Sequence, residues 1–195
     1  MRVHAKKPAT YEDLKKLPEN LIGEIIGGEL IASPRPGFGH GRASSALVGG
    51  LHGPFDLGSG GPGGWWIFFE SELHLAKDIL VPDVAGWRRS RMPKPPAPAE
   101  PFVTLAPDWV CEVLSPSTAR VDLERKLPLY ARERVQHVWL INPQLRALEI
   151  FRLDEGAWTL TGAFSGDALV RAEPFDAIEF ALGTLWLPEE PPPAE

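Results

Sequence analysis

Cysteine is nearly absent. Cys111 is the only one in 195 residues, so no internal disulfide can form, and both a stapled secreted scaffold and a Cys-rich zinc module are excluded. No apolar run approaches the roughly 18 residues needed to span a bilayer. The opening MRVHAKKPATYEDLKK also lacks the apolar stretch of a signal peptide, so the reading is a soluble, cytoplasmic protein with no membrane partner. The histidines (His4, His40, His52, His74 and His137) show neither HxH nor HExxH spacing, which removes the common zinc-hydrolase signatures. A long basic stripe is missing too. Lys and Arg total 20 against 26 Asp and Glu, a formal charge of −6. Residues 172–195 carry Glu173, Asp176, Glu179, Glu189, Glu190 and Glu195 with no Lys or Arg, so that segment holds the whole surplus. The acidic total argues against holding nucleic acid by charge alone. It does not argue against an acidic metal site with a local basic rim. The densest basic stretch, residues 87–94 (WRRSRMPK), offers Arg88, Arg89 and Arg91 as a solvated loop or as DNA phosphate contacts.

What is present is an ordinary globular balance, with 44% apolar and 24% charged residues, which excludes wholesale disorder. With 19 Gly and 21 Pro, long loops are expected. The length suits one domain over 1–188, followed by a disordered Pro/Glu tail at 189–195. Thr10 with Asp13 three places on predicts a helix start that Pro18 ends. Runs at 21–26 and 29–32 flank Gly27-Gly28 as a hairpin. Ala43, Leu47 and Leu51 recur at helical spacing over 39–52. Residues 65–69 and 71–75 read as strands, and 79–87 as one more strand containing Pro82-Asp83. The Pro-rich stretch 92–101 is a loop. Residues 109–114 form a strand apolar on both faces, of the kind buried in a central sheet. A helix is expected over 119–133, kinked or restarted at Pro128, then a buried strand at 135–141 and a hairpin of 147–153 with 157–163. The order predicts an α/β (α+β) core, a mixed central sheet flanked by helices with antiparallel additions.

Two carboxylates stand out because they sit in apolar strands. Asp83 lies in LVPDVA and Glu112 in WVCEVL. Alternation puts Glu112 on the face of Val110 and Leu114, away from Trp109, Cys111 and Val113. A buried carboxylate costs several kcal/mol unless it is paired, protonated or metal-bound. Downstream, Asp122, Lys126 and Tyr130 are spaced i, i+4, i+8 and share one helical face if Pro128 does not break it. That helix starts just after the Glu112 strand, so Lys126 can reach both carboxylates; the bland alternative is an exposed Asp–Lys pair. Oxygen ligands of this kind suit Mg²⁺ or Mn²⁺ with water positions to spare. A lysine beside them can offset charge on a transferring phosphoryl group. His40, in a Gly-rich stretch before a helix, either lines such a cleft or is a surface or capping residue. His74 alternates with Glu70 and Glu72 as a solvated sheet face, although Glu72 can also point toward the cleft.

LVPDV, WVCEVLSPST, and then DLERKLPLYARERVQHVWLINP resemble the Uma-two family, named as restriction endonucleases and assigned to the PD-(D/E)XK nuclease-like fold. GEIIGGELIASP and His40 fit the family's opening pattern, and the likeness spans roughly residues 10–155. The resemblance implies a restriction-endonuclease-like core and Mg²⁺-dependent hydrolysis of DNA phosphodiester bonds. It makes Asp83, Glu112 and Lys126 the catalytic set, with Asp83, Glu112 and Glu24 as metal ligands and Asp122 orienting Lys126. Leu114 occupies the place where the general pattern has its lysine, and Lys126 supplies it from the next helix. Asn142 stands where the family commonly has Asp. The alternative is a catalytically silent module on the same fold that binds nucleic acid or protein. Cutting both DNA strands calls for two active sites, so a homodimer is expected.

Overall fold

Gly27 and Gly28 take φ values of +61° and +82°, a left-handed pair that glycine adopts without steric cost and that closes a tight hairpin. The computed structural model describes residues 7–188, and the tail expected at 189–195 lies outside them. In it β1 (Leu21–Ile26) pairs antiparallel with β2 (Glu29–Pro34) across that turn. Ahead of them α1 (Tyr11–Leu14) begins where expected: the Thr10 backbone N–H and hydroxyl both donate to Asp13, at 3.0 and 2.7 Å. Short strands β4 (Leu73–Leu75) and β5 (Asp78–Leu80) complete a four-stranded sheet ordered β2-β1-β5-β4.

The main sheet has six strands. They are β3 (Trp65–Phe69), β6 (Val84–Arg88), β7 (Trp109–Val113), β8 (His137–Asn142), β9 (Ala147–Asp154) and β10 (Ala157–Ser165). Their order is β10-β9-β8-β7-β6-β3, antiparallel except for the β7–β8 pair. A two-stranded ribbon of β11 (Leu169–Val170) and β12 (Phe180–Ala181) is added. One expectation fails: residues 79–87 are not a single strand. The chain leaves β5 in the smaller sheet, passes Pro82-Asp83 without pairing, and enters β6 in the larger one. Proline has no N–H for a ladder, so the strand breaks there and Asp83 sits at the junction between the sheets.

Parallel strands need a crossover, and here it is helical. α3 (Ala119–Val121) runs through a π-helical turn (Asp122–Lys126) into α4 (Leu127–Arg132). The wider turn, with the Leu127 N–H donating to the Asp122 carbonyl, immediately precedes Pro128, whose missing N–H and bulky ring would disrupt an ordinary α-helical ladder. α2 (Phe38–Leu51) likewise continues into a π turn (His52–Leu57) that holds Pro54. α2 packs Leu47 and Leu51, and the π turn after it packs Phe55, against the β7–β8 face bearing Trp109, Cys111, Val113 and Trp139. The other face of the sheet, with Val110, Val138 and Leu140, meets Ile26, Leu73, Leu80 and Tyr130. All five β7 residues are buried, as its composition requires. Among the described residues no helix is long and apolar enough to cross a membrane.

Candidate active site

The β6–β7 register pairs Val84 with Cys111, so one step further along the same antiparallel ladder brings Asp83 level with Glu112. The Val113 N–H donates to Asp83 Oδ2 at 2.6 Å, which ties the inter-sheet junction to β7. On its other side Asp83 Oδ1 lies 3.0 Å from His40 Nε2, delivered by the first turn of α2. The Ser44 hydroxyl, one helical turn on, sits 3.4 Å from His40 Nδ1. Thus the cleft-lining reading of His40 describes its position, and the Pro82 break is what frees Asp83 to meet it.

Glu112 is 1% exposed. Its Oε1 accepts from the Tyr130 hydroxyl at 2.5 Å and lies 2.8 Å from Lys126 Nζ. Lys126 is buried as well. Its ammonium also meets Glu24 Oε1 at 3.2 Å and Asp122 Oδ1 at 3.3 Å, and donates to the Val81 carbonyl at 3.4 Å. Glu24 comes from β1 and accepts the Val81 N–H at 2.8 Å. The π turn keeps Asp122, Lys126 and Tyr130 on the face turned to β7. Pro128 therefore does not swing the lysine away.

Burial pushes the Glu112 carboxyl well above the usual carboxylate range; Lys126 opposes this, and Asp122, Asp83 and Glu24 add to it. Asp122 is raised by burial against the same pull from Lys126. For Lys126, burial alone favours the neutral amine, but Glu112, Glu24, Tyr130 and Asp122 outweigh it and hold the ammonium charged. Cys111, on the opposite face of β7, is pushed up by burial and is an unreactive core residue.

These groups line a small cavity of about 40 Å³, floored by Glu24, Asp83, Glu112 and Lys126 and edged by His40, Ser115 and Thr118. That is space for a few waters or an ion with its ligands. Four carboxylates against one lysine leave surplus negative charge, and the donors are hard oxygens, the chemistry that suits Mg²⁺ or Mn²⁺. Among the described residues no three His, Cys, Asp or Glu side chains are already gathered closely enough to hold an ion.

Of the residues singled out in the sequence, Asp83, Glu112, Lys126, Glu24, Asp122 and His40 come together. Arg88, Arg89 and Arg91 do not. They lie at or beyond the far end of β6, roughly 15 Å of strand from Asp83. There Arg89 binds Asp56 at 2.8 Å and Arg91 binds Asp108 at 3.0 Å. Tyr130 was legible as a face-sharing residue but not as the donor to Glu112. Glu70, read as part of a solvated face, donates its backbone N–H to the Asp83 carbonyl at 3.1 Å; nothing in the sequence signals that contact.

A family model, Uma2, described as "Putative restriction endonuclease", matches residues 8–183. A solved structure described as "a putative nuclease belonging to DUF820 from Anabaena variabilis ATCC 29413" is similar over 91% of this chain and 97% of its own, at 26% identity and a TM-score of 0.71. No curated protein matches.

Proposed function

The chain belongs to the Uma2 family, described as "Putative restriction endonuclease", and on that premise we propose that it is an endonuclease hydrolysing DNA phosphodiester bonds with Mg²⁺ or Mn²⁺. The observation that carries this reading is Lys126: a helix sends its ammonium into a buried carboxylate cluster, within 3.3 Å of Glu112, Glu24 and Asp122. An ion pair built only for stability has little reason to gather three acids on one lysine at a cavity, since buried charges gain little over apolar packing.

Asp83, Glu112 and Glu24 would hold the cation, which when bound supplies Lewis-acid stabilisation to the phosphate and the attacking water. The protein's own groups do the rest. Lys126 places a fixed positive charge where negative charge develops on the phosphoryl oxygens. Asp122 and the Val81 carbonyl fix its direction, and Tyr130 sets the Glu112 carboxylate through its hydroxyl. His40 orients Asp83. Two such clefts in a homodimer would address the two strands of a duplex.

The test is nicking of supercoiled plasmid by pure protein with Mg²⁺ or Mn²⁺ against EDTA. Metal-dependent nicking that disappears in both Asp83→Ala and Lys126→Ala is expected. Intact plasmid under every condition, or nicking at the parent rate by Lys126→Ala, would overturn the proposal. A second reading, a silent binding module, draws on the acidic surplus and on the arginines engaged away from the cleft. DNA binding without metal-dependent cleavage would select it.

A further inference from the structure

Outside this cleft a second pocket, of about 330 Å³, lies between the strand β3 exit and the Pro-rich loop, lined by Phe68, Glu70, Glu72, Pro96, Phe102 and Val103 among others. Its volume falls in the range of small-molecule sites. The aromatic side is braced: Phe102 stacks face to face on His74 at 3.7 Å, and Tyr11 packs edge-on against both rings. His74 Nε2 in turn holds Glu72 Oε1 at 2.7 Å. Residues 72 and 74 looked like a solvated sheet face; instead Glu72 lines this pocket and His74 stands behind it, bracing Glu72 and Phe102.

Glu70 is the partition between the pocket and the cleft. Its backbone N–H is bonded to the Asp83 carbonyl, and its φ of +45° is a left-handed conformation uncommon for a side chain of this size. Only Arg35 approaches its carboxylate, at 3.9 Å, so its acceptor oxygens are unspent among the described residues. Burial, then the nearby Asp83 charge, raises its pKa.

Flat apolar walls with acceptor-only groups at the rim match one chemistry. A planar ring stacks against aromatic and proline surfaces, as bases do in single-strand sites. Carboxylates repel phosphate but accept from amino groups, as Glu and Asp accept from cytosine N4. We propose that this pocket is a nucleobase subsite that takes one unpaired base bearing an exocyclic amino group, cytosine rather than thymine, from the strand whose neighbouring phosphodiester enters the Asp83–Lys126 cleft. The position of that phosphodiester rests on the nuclease reading; the affinity of the pocket for the base does not. Such a subsite would direct the enzyme to single-stranded or distorted DNA, because a paired base cannot enter a pocket.

The experiment uses the full chain, ¹⁵N-labelled and in EDTA, titrated separately with deoxycytidine and with thymidine, which are nearly equal in size and differ in the amino group. Deoxycytidine should shift the amides of Glu70, Glu72 and Val103, with thymidine at least about tenfold weaker, the ratio expected for hydrogen bonds to a charged acceptor. Glu70→Gln, checked for a native spectrum, should shrink that ratio. Equal binding of the two nucleosides, or shifts confined to other surfaces or absent, would overturn the proposal. No metal or cleavage enters the measurement. A chain that binds deoxycytidine here yet never nicks plasmid would sink the nuclease reading alone; nicking without deoxycytidine binding would sink the subsite alone.

Discussion

Replacing Lys126 by alanine removes the cation shared by Glu24, Glu112 and Asp122. Each of those carboxylates has an oxygen within 3.3 Å of Nζ, so no two of these oxygens are more than about 6.5 Å apart, and each ionised pair then costs about 2.5 kcal/mol at an effective dielectric of about 20. Three uncompensated buried charges cannot persist on those terms; the cluster takes up protons or opens. The expected loss is about 3–5 kcal/mol, the cost of breaking a buried ion pair, which is a large share of a typical folding free energy. The sign with pH follows from proton binding. Without Lys126 the folded-state carboxyls, Glu112 above all, bind protons more tightly than in the unfolded chain. The deficit is therefore fullest above neutrality and shrinks as the pH falls toward about 4, the unfolded carboxylate value. Urea unfolding followed by tryptophan fluorescence, in EDTA at pH 8 and pH 5, measures both. A deficit below about 1 kcal/mol that is the same at the two pH values would refute the geometry-based account of the cluster.

Activity and affinity should separate for the same variant: Lys126→Ala is expected to lose on the order of a hundredfold in cleavage while Mn²⁺ affinity by calorimetry stays level or rises. Asp83→Ala should abolish both. Tyr130→Phe deletes the hydroxyl bonded to Glu112 and should cost about 1–3 kcal/mol in urea unfolding, with rate loss exceeding any change in metal affinity. His137 is half-buried and its pKa is lowered by burial, so the folded state favours the neutral ring. Its contribution is complete above the unfolded value of about 6.5 and is lost as pH falls through the lower folded one. Stability between pH 7 and 5 should therefore fall less steeply in His137→Gln than in the parent.

Much of this architecture was legible because local and global signals agree. In the Gly27-Gly28 hairpin, the apolar β7 strand and the helix cap at Thr10, the local residue preference and the burial pattern point to the same element. Trp109–Val113 shows no polar face except at Glu112, which made that carboxylate conspicuous. The misreading of 79–87 has a physical cause. Apolar residues on both sides of Pro82 look continuous to a pattern of alternation, and nothing in that pattern reports that they serve two different sheets. The arginines at 88–91 illustrate the converse. Charge density is visible in sequence, but the acids that bind Arg89 and Arg91, Asp56 and Asp108, are 33 and 17 positions away. Tertiary pairing decides whether such a cluster is free to meet a phosphate, and spacing does not record it.

The π turn at Asp122–Lys126 gives this helix an unusual relation to chain length. A π turn accommodates one residue more than the α turn it replaces, and each residue of an α-helix is worth about 100° of rotation. Leu123 and Glu124 lie on the outer side, exposed to solvent, where the identity of a side chain matters little. Their number matters a great deal. Loss of either would cut the Asp122–Lys126 spacing by one residue and so turn Lys126 and Tyr130 together against Asp122 by roughly a quarter of a circle, breaking the shared approach to Glu112. The segment thus tolerates exchange of its outer letters but not a change in their count. Among homologous chains, drift here should appear as substitution and never as a gap.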